Sequence, residues 1–224
     1  MNEKNQAGDT PVAAPGQNPA DYRKPLELRK LAADTERVEL EAARLRRNEA
    51  DAASEASQAL IYTFYSAVDD DSVRECMAEL GKWSRRRPGE PITIIFNSPG
   101  GTVSDGLALV DYVRQLRQSG HYVTTIALGR AASMGGVLLQ TGDKRVIGAN
   151  AFMLIHEVSA GAFGKVSEME DSVEYYKRLQ TRLLSILSER SKLSARQIAT
   201  RWSRKDWWLD AQEVVKLGFA DEVL

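Results

Sequence analysis

The sequence lacks several features that would assign it to whole classes of protein. Its 224 residues include one cysteine, Cys76, which excludes an internal disulfide framework and indicates a reducing compartment. No window of about 18 apolar residues exists, and the N-terminus has no apolar core of the kind that a signal peptide needs. The formal net charge of -1 indicates no nucleic-acid or anionic-membrane surface. We therefore expect a cytoplasmic protein with no nucleic-acid and no membrane partner.

The composition changes along the chain and divides it into three regions. Residues 1–25 are rich in Ala, Pro, Gln, Asn and Gly, so we expect a disordered tail. Residues 26–56 contain no Gly or Pro and are rich in Ala, Leu, Glu and Arg, which predicts a charged helix. Apolar residues recur there every seven positions, namely Leu31, Val38 and Leu45. This thin stripe is compatible with a short coiled coil or with a lone solvated helix. Residues 57–224 form the globular region.

Strand-like and helix-like segments alternate through this globular region. Residues 92–96 and 123–128 are continuous apolar runs of strand length, as expected for buried parallel strands. Each run is followed by a glycine-containing turn and then by a helix. We predict the helix after the second run over residues 132–140. A long helix is predicted over residues 167–190. The alternation predicts an α/β domain with a largely parallel sheet whose faces are covered by crossover helices.

Two strand-to-helix turns contain the residues with the clearest chemical potential. The first, residues 97–101, ends in paired glycines that allow a backbone N–H to approach a ligand closely. The second, residues 129–136, places Ser133 among small residues at a helix start, where unpaired amides point toward a developing oxyanion. One amide from each turn would form a two-donor oxyanion hole. Taken alone, the first motif is compatible with a plain tight turn and the second with an N-cap serine.

A nucleophilic serine needs a neighbouring base, and the chain has only two histidines. His156 follows the apolar strand 152–155, so we expect its imidazole at the edge of the sheet. His121 lies in a polar turn, and we predict that it is a surface residue. Cys76 lies in a helix-like stretch, where it is predicted to be a small buried hydrophobe rather than a reactive thiol.

Several motifs, in this order, resemble those of the Clp protease proteolytic subunit over about three quarters of the chain. The motifs are Phe96–Gly106 for the oxyanion-hole segment, Ala131–Gly135 for the nucleophile, Met153–His156 for the histidine and Ala211–Leu224 for the C-terminal block. The resemblance implies a Clp-protease/crotonase-like spiral of β-β-α units with a protruding handle helix. It also implies a Clp-protease-like serine peptidase domain over residues 57–224.

The family's functional residues can be transferred to matching positions of this chain. The resemblance implies that Ser133 is the nucleophile and His156 its general base. The third triad member corresponds to Asp206, with Asp210 as the alternative, although the position of Asp210 suits a helix N-cap. Two backbone amides would form the oxyanion hole, those of Gly101 and Met134. Neither a metal nor a cofactor is implied.

The activity implied by the resemblance is that of a serine endopeptidase acting on unfolded or small peptide substrates. In that family, two heptameric rings meet through the handle helices, so a homo-oligomer is implied here. Residues 157–164 match the extended strand that receives the peptide by β-augmentation, and residues 167–190 match the handle.

The chain departs from the family pattern at two informative places. Glu157 and Val158 stand where the family has Gln-Pro. The family's N-terminal segment, which forms axial pore loops and contacts an AAA+ unfoldase, has no counterpart in residues 1–56. The resemblance therefore makes an AAA+ unfoldase a possible partner, but the atypical N-terminus of this chain argues against it.

The sequence leaves other functions open beside this peptidase. One is a phage-type capsid maturation protease of the same fold, because such relatives depart from the family in similar ways. Another is a non-enzymatic ring scaffold, although all three triad residue types are present. A crotonase-type acyl-CoA enzyme would share the fold and the two-amide oxyanion hole, but it would not need a Ser/His/Asp set.

Overall fold

The structure, a computed structural model, describes the backbone of residues 19–57 and 59–224 and the side chains of residues 28–48 and 59–224. The chain forms two compact units, with the boundary between residues 58 and 59. Within the described residues, none of the helices combines the length and the apolar character that crossing a membrane would require.

The first unit contains one long helix, α1 (Pro19–Ser57). It begins earlier than the predicted start at residue 26, so the predicted tail and helix divide at a different residue. Proline is well tolerated as the first residue of a helix, because its missing N–H has no intrahelical partner there in any case. The rest of the predicted tail, residues 1–18, lies outside the described residues. Between residues 28 and 48 the apolar side chains of the stripe are exposed.

The second unit alternates strands and helices, as predicted. Its helices are α2 (Asp70–Arg86), α3 (Val103–Gln118), α4 (Met134–Leu139), α5 (Val166–Arg190), α6 (Ala195–Trp202) and α7 (Ala211–Leu217). Its strands are β1 (Leu60–Phe64), β2 (Ile92–Ser98), β3 (Val123–Ala132), β4 (Lys144–Ile147), β5 (Phe152–Ile155), β6 (Trp207–Leu209) and β7 (Glu222–Val223).

The strands form one sheet in the order β1-β2-β3-β4-β7, with parallel pairing throughout this path. β5 pairs in parallel with the second half of β3, and β6 runs antiparallel to β5. The predicted α/β domain with a largely parallel sheet is therefore confirmed. The carboxyl ends of β2, β3 and β5 lie next to one another, which is where open α/β sheets usually bind their ligands.

The junction between β3 and α4 differs from the prediction. We expected a strand ending at residue 128 and a helix starting at Ala132, but β3 continues to Ala132 and α4 starts at Met134. The extra strand residues, 130–132, pair with residues 152–154 of β5. The ladder therefore extends through Gly129 because a second parallel strand is available there, a tertiary partner that local sequence does not reveal.

The hydrophobic core lies between the sheet and its helices. Alternate residues of β2 are fully buried, and so is almost all of α4, as expected for an apolar helix in a core. Cys76 is completely buried, as predicted. The long helix α5 buries only residues of its C-terminal half, namely Leu183, Ile186 and Leu187. Its N-terminal half therefore projects from the body.

The prediction that His121 is a surface residue is wrong. His121 is 3% exposed. One ring nitrogen lies 2.8 Å from the carbonyl oxygen of Glu90, and the other lies 3.0 Å from Oγ of Ser84. The imidazole links the end of α2 to the turns that precede β2 and β3, and two hydrogen-bond partners compensate for its lost hydration.

Candidate active site

Ser133 lies at the junction of β3 and α4 in an unusual backbone conformation. Its φ of 54° and ψ of −120° fall in a region that non-glycine residues rarely adopt. The amide of Ser133 donates to the carbonyl oxygen of Leu154 at 2.9 Å, which holds this residue against β5. Strained residues of this kind cluster at functional sites. The Ser133 side chain makes no capping hydrogen bond to α4, which removes the plain N-cap explanation.

Gly100 packs directly against Ser133. A Cβ at Gly100 would lie 2.6 Å from Cβ of Ser133, and the φ of Gly100 is +91°. Only glycine fits this position, since any side chain would both clash and be strained. The absence of a side chain thus allows the two glycine-containing turns to meet.

The backbone around Gly101 is held from one side by Val68. The amide of Val68 donates to the carbonyl of Gly100 at 2.9 Å, and the amide of Thr102 donates to the carbonyl of Val68 at 2.7 Å. In this parallel bridge, Val68 makes no hydrogen bond with the amide of Gly101 itself. Within the described residues, neither Gly101 nor Met134, the first residue of α4, has a hydrogen-bond acceptor for its amide. Two residues with unpartnered N–H groups, Gly101 and Met134, therefore line the same cleft as Ser133.

Two residues that support the glycine turn were not assigned a role from the sequence. Ser98 is fully buried at the end of β2, and its Oγ accepts a hydrogen bond from the amide of Gly100 at 3.2 Å. Val68 precedes α2, and no local signal in the sequence indicates that its backbone contacts Gly101. Ser98 could have been noticed as the polar residue of the Asn-Ser-Pro-Gly-Gly turn.

His156 directly follows β5, and Asp206 directly precedes β6. In the antiparallel pairing of β5 with β6, Ile155 is opposite Trp207, so His156 and Asp206 are the next positions of the same register. His156 is half-buried and Asp206 is exposed. In the described part of the chain no hydrogen bond joins the side chains of Ser133, His156 and Asp206.

Asp210, the alternative to Asp206, is the N-cap of α7. Its carboxylate accepts a hydrogen bond from the amide of Glu213 at 2.8 Å, and the amide of Asp210 donates one to the carboxylate of Glu213 at 3.1 Å. This reciprocal capping box uses the carboxylate of Asp210 for local structure. The sequence interpretation of Asp210 as an N-cap is therefore confirmed, which favours Asp206 as the partner of His156.

A cleft of about 240 Å³ lies next to Ser133 and His156. Apolar side chains form much of its wall, namely Val103, Met134, Val137, Ile155, Val158, Leu183, Leu187 and Trp202. Polar residues also line it, namely Ser133, His156, Glu157 and Ser159. Such a cleft can hold an apolar side chain next to a hydroxyl and an imidazole. In the part of the chain that the structure describes, His, Cys, Asp and Glu side chains form no cluster able to hold a metal ion.

The segment between His156 and α5 has no regular secondary structure. The amide of Val158 donates to Oε1 of Gln180 at 3.3 Å, and the hydroxyl of Tyr176 donates to the carbonyl of Gly161 at 3.1 Å. Side chains of α5 thus hold this segment alongside the cleft. The extended strand implied over residues 157–164 is not paired with any other strand that the structure describes.

Comparisons with known proteins identify similar chains. Residues 46–224 match the family model described as Clp protease. The chain is 35% identical over 161 residues to the ATP-dependent Clp protease proteolytic subunit of Streptococcus mutans, covering 70% of this chain and 80% of that protein. It is 36% identical over 159 residues to ATP-dependent Clp protease proteolytic subunit 1 of Streptomyces coelicolor, covering 70% of each. It is also 33% identical over 159 residues to subunit 2 of Tropheryma whipplei, covering 70% of this chain and 86% of that protein.

Proposed function

The chain belongs to the Clp protease family and is a serine-type peptidase, and from this premise we propose that Ser133, His156 and Asp206 form its catalytic triad. The observation that carries the proposal is the cleft in which Ser133 and His156 lie together with two unpartnered amides. Further support comes from the uncapped hydroxyl of Ser133 and from the β5–β6 pairing, which ends at Ile155 and Trp207, the chain neighbours of His156 and Asp206. Hydrogen bonds within a triad often tighten only when substrate is bound.

The proposed reaction begins when Oγ of Ser133 attacks the carbonyl carbon of a peptide bond. His156 accepts the hydroxyl proton as the C–O bond forms, and the amides of Gly101 and Met134 donate to the oxyanion. The imidazolium then gives the proton to the leaving amine as the C–N bond breaks, which leaves an acyl-enzyme on Ser133. Asp206 remains ionised throughout, fixing the orientation of the imidazole and stabilising its charged form.

The second half of the reaction hydrolyses the acyl-enzyme. His156 removes a proton from water, whose oxygen attacks the ester carbon between the same two amides. The ester C–O bond breaks, the proton returns to Oγ of Ser133, and a peptide carboxylate is released. No other group is required to balance the reaction.

Polypeptides are the proposed substrates. Support comes from residues 157–164, which make no backbone–backbone hydrogen bond within the described structure. Apart from the N–H of Val158 and the C=O of Gly161, which bond to side chains of α5, their backbone groups can pair with a peptide. A peptide added there as a strand would be held through its main chain. Its side chain next to the scissile bond would enter the apolar part of the cleft.

We further propose a homo-oligomeric ring built around the projecting helix α5. Val173 and Tyr175 are both about half exposed there, on a helix that buries little of its N-terminal half. A second copy would cover such apolar side chains. Negative-stain images of the purified protein should reveal rings with a central chamber, and a uniform population of monomers would contradict this part of the proposal.

The proposed compartment is the cytoplasm. Its support is that Cys76 is the only cysteine of the chain and is buried, so the fold uses no internal disulfide. Fractionation of producing cells, followed by detection with an antibody, tests this proposal.

A fluorophosphonate probe, which labels activated serines, tests the proposed triad. The wild-type protein should be labelled and should hydrolyse a fluorogenic peptide. Ser133→Ala should lose labelling and should lose several orders of magnitude in kcat. Ser104→Ala, at an exposed serine of α3, is the matched control and should behave as wild type. If the wild-type protein is neither labelled nor active, the ring-scaffold function is supported instead.

A further inference from the structure

Glu157 is the one acidic residue that the described structure places in the lining of the cleft. It follows His156 directly and is half-buried. Among the described residues, its carboxylate has neither an ion-pair partner nor a hydrogen-bond donor. The cleft therefore contains a negative charge that the fold itself does not neutralise.

Two other partly buried carboxylates of the second unit have cationic partners. Asp143 lies 2.7 Å from the guanidinium of Arg117, and Asp221 lies 2.5 Å from that of Arg145. Partial burial removes water from a carboxylate, and a nearby cation compensates for that loss. In a cleft proposed to bind peptides, the cation for Glu157 can come from the substrate.

We propose that Glu157 is a specificity-determining residue that favours peptides with a Lys or Arg residue flanking the scissile bond. This inference rests on the proposed function of the cleft. The apolar stem of a lysine or arginine would pack along the apolar wall while its charged end reaches the carboxylate. A substrate aspartate or glutamate at the same position would be repelled.

Three matched fluorogenic peptides test the proposal, with Lys, Gln or Glu at both residues that flank the scissile bond. For wild-type protein at low salt, we expect kcat/KM for the Lys peptide to exceed that for the Glu peptide about tenfold. Glu157→Gln should bring this ratio close to one, and Glu157→Lys should invert it. Added salt should reduce the wild-type preference, because the interaction is between charges at a solvent-accessible mouth.

Glu75→Gln is the matched control, since it removes the same charge at an exposed site on α2. It should keep the wild-type ratio. The inference is overturned if wild-type protein cleaves all three peptides equally, or if Glu157→Gln keeps the preference. It is also overturned if Glu157→Gln changes all three rates equally together with the oligomeric state, because the carboxylate then pairs with another copy.

The outcomes also separate this inference from the proposed function on which it rests. Labelling of Ser133 and cleavage without charge preference would overturn the role of Glu157 alone. Absence of labelling, together with no cleavage of any of the three peptides, would overturn both.

Discussion

His156 directly follows β5 and Asp206 directly precedes β6, at the end of the strand pair in which Ile155 is opposite Trp207. The antiparallel register brings together the ends of two strands that are far apart in the chain. Directly opposed residues of such a pair have Cβ atoms only about 5 Å apart.

The choice between the two aspartates can be tested by matched substitutions. Asp206→Asn should lower kcat by about four orders of magnitude, because the amide cannot hold the imidazole as the carboxylate does. Asp210→Ala should retain activity but lower the free energy of unfolding by about 1 kcal/mol, since it removes the N-cap of α7. Steady-state kinetics and urea unfolding of both variants provide the measurements. The reverse pattern would assign the triad role to Asp210.

The backbone strain at Ser133 predicts an unusual order of stability. Ser133→Ala and Ser133→Gly should both be inactive, but the glycine variant should unfold with about 1 kcal/mol more free energy than the alanine variant. Glycine tolerates a φ of 54°, whereas alanine keeps the strain.

The same pair of substitutions at Ser185 provides the control for this comparison. Ser185 is exposed within α5, where alanine should be more stable than glycine by about 1 kcal/mol. If denaturant unfolding shows that alanine is more stable than glycine at Ser133 as well as at Ser185, glycine does not release strain at Ser133.

Gly101→Ala should impair both activity and stability. A Cβ at Gly101 would lie 2.1 Å from the carbonyl oxygen of Val68, so the turn must move and its amide must leave the oxyanion position. Loss of one such donor lowers kcat by about 10²–10³-fold. Gly89→Ala is the control, because Gly89 also has a positive φ but open space around it. Gly89→Ala should lower the free energy of unfolding by about 1 kcal/mol and leave kcat unchanged. If kcat is also unchanged in Gly101→Ala, the amide of Gly101 does not belong to the oxyanion hole.

Cys76 should make the fold sensitive to alkaline pH. Burial, with a smaller contribution from the charge of Glu75, raises the pKa of the thiol from 9.0 to about 12. Between these two pKa values the folded state keeps the thiol proton that the unfolded chain loses. The contribution of the thiol to the free energy of unfolding is therefore fully present below the unfolded-state pKa, and it is lost progressively as pH rises through the folded-state pKa.

Urea unfolding across that pH interval measures the effect. The free energy of unfolding should fall as pH rises, and Cys76→Ala should fall less steeply. Some slope should persist in the variant, because burial also raises the pKa of Tyr62 to about 12. Identical slopes with and without the thiol would contradict the prediction.

Deletion of residues 1–55 should leave peptidase activity in place. The second unit begins at residue 59, and the hydrophobic core begins at Leu60. Deletion of residues 1–64 is the contrasting change and should prevent folding, because it removes β1, which pairs with β2 along its whole length. Circular dichroism and peptide hydrolysis measure both; an unfolded product of the shorter deletion would show that α1 contributes to the core.

Local patterns were sufficient to predict much of the fold. The apolar runs in β2 and β3 have the length and uniformity of strands buried on both faces, and glycine-containing turns separate them from helices. The prediction was wrong at the start of α4, because the additional residues of β3 depend on pairing with β5. It was wrong again at His121, whose burial depends on Ser84 and Glu90, both distant in the chain.

By itself, the sequence determined the alternating α/β architecture and two of the candidate triad residues. Ser133 is marked by its small neighbours, and His156 by the scarcity of histidine and its position after a strand. Only the tertiary structure decided that Val68 holds the glycine turn and that Glu157 lies unpaired in the cleft. The physical reason is that these contacts depend on strand register and crossover geometry, which join distant residues, whereas local periodicity reports only which face of an element is buried.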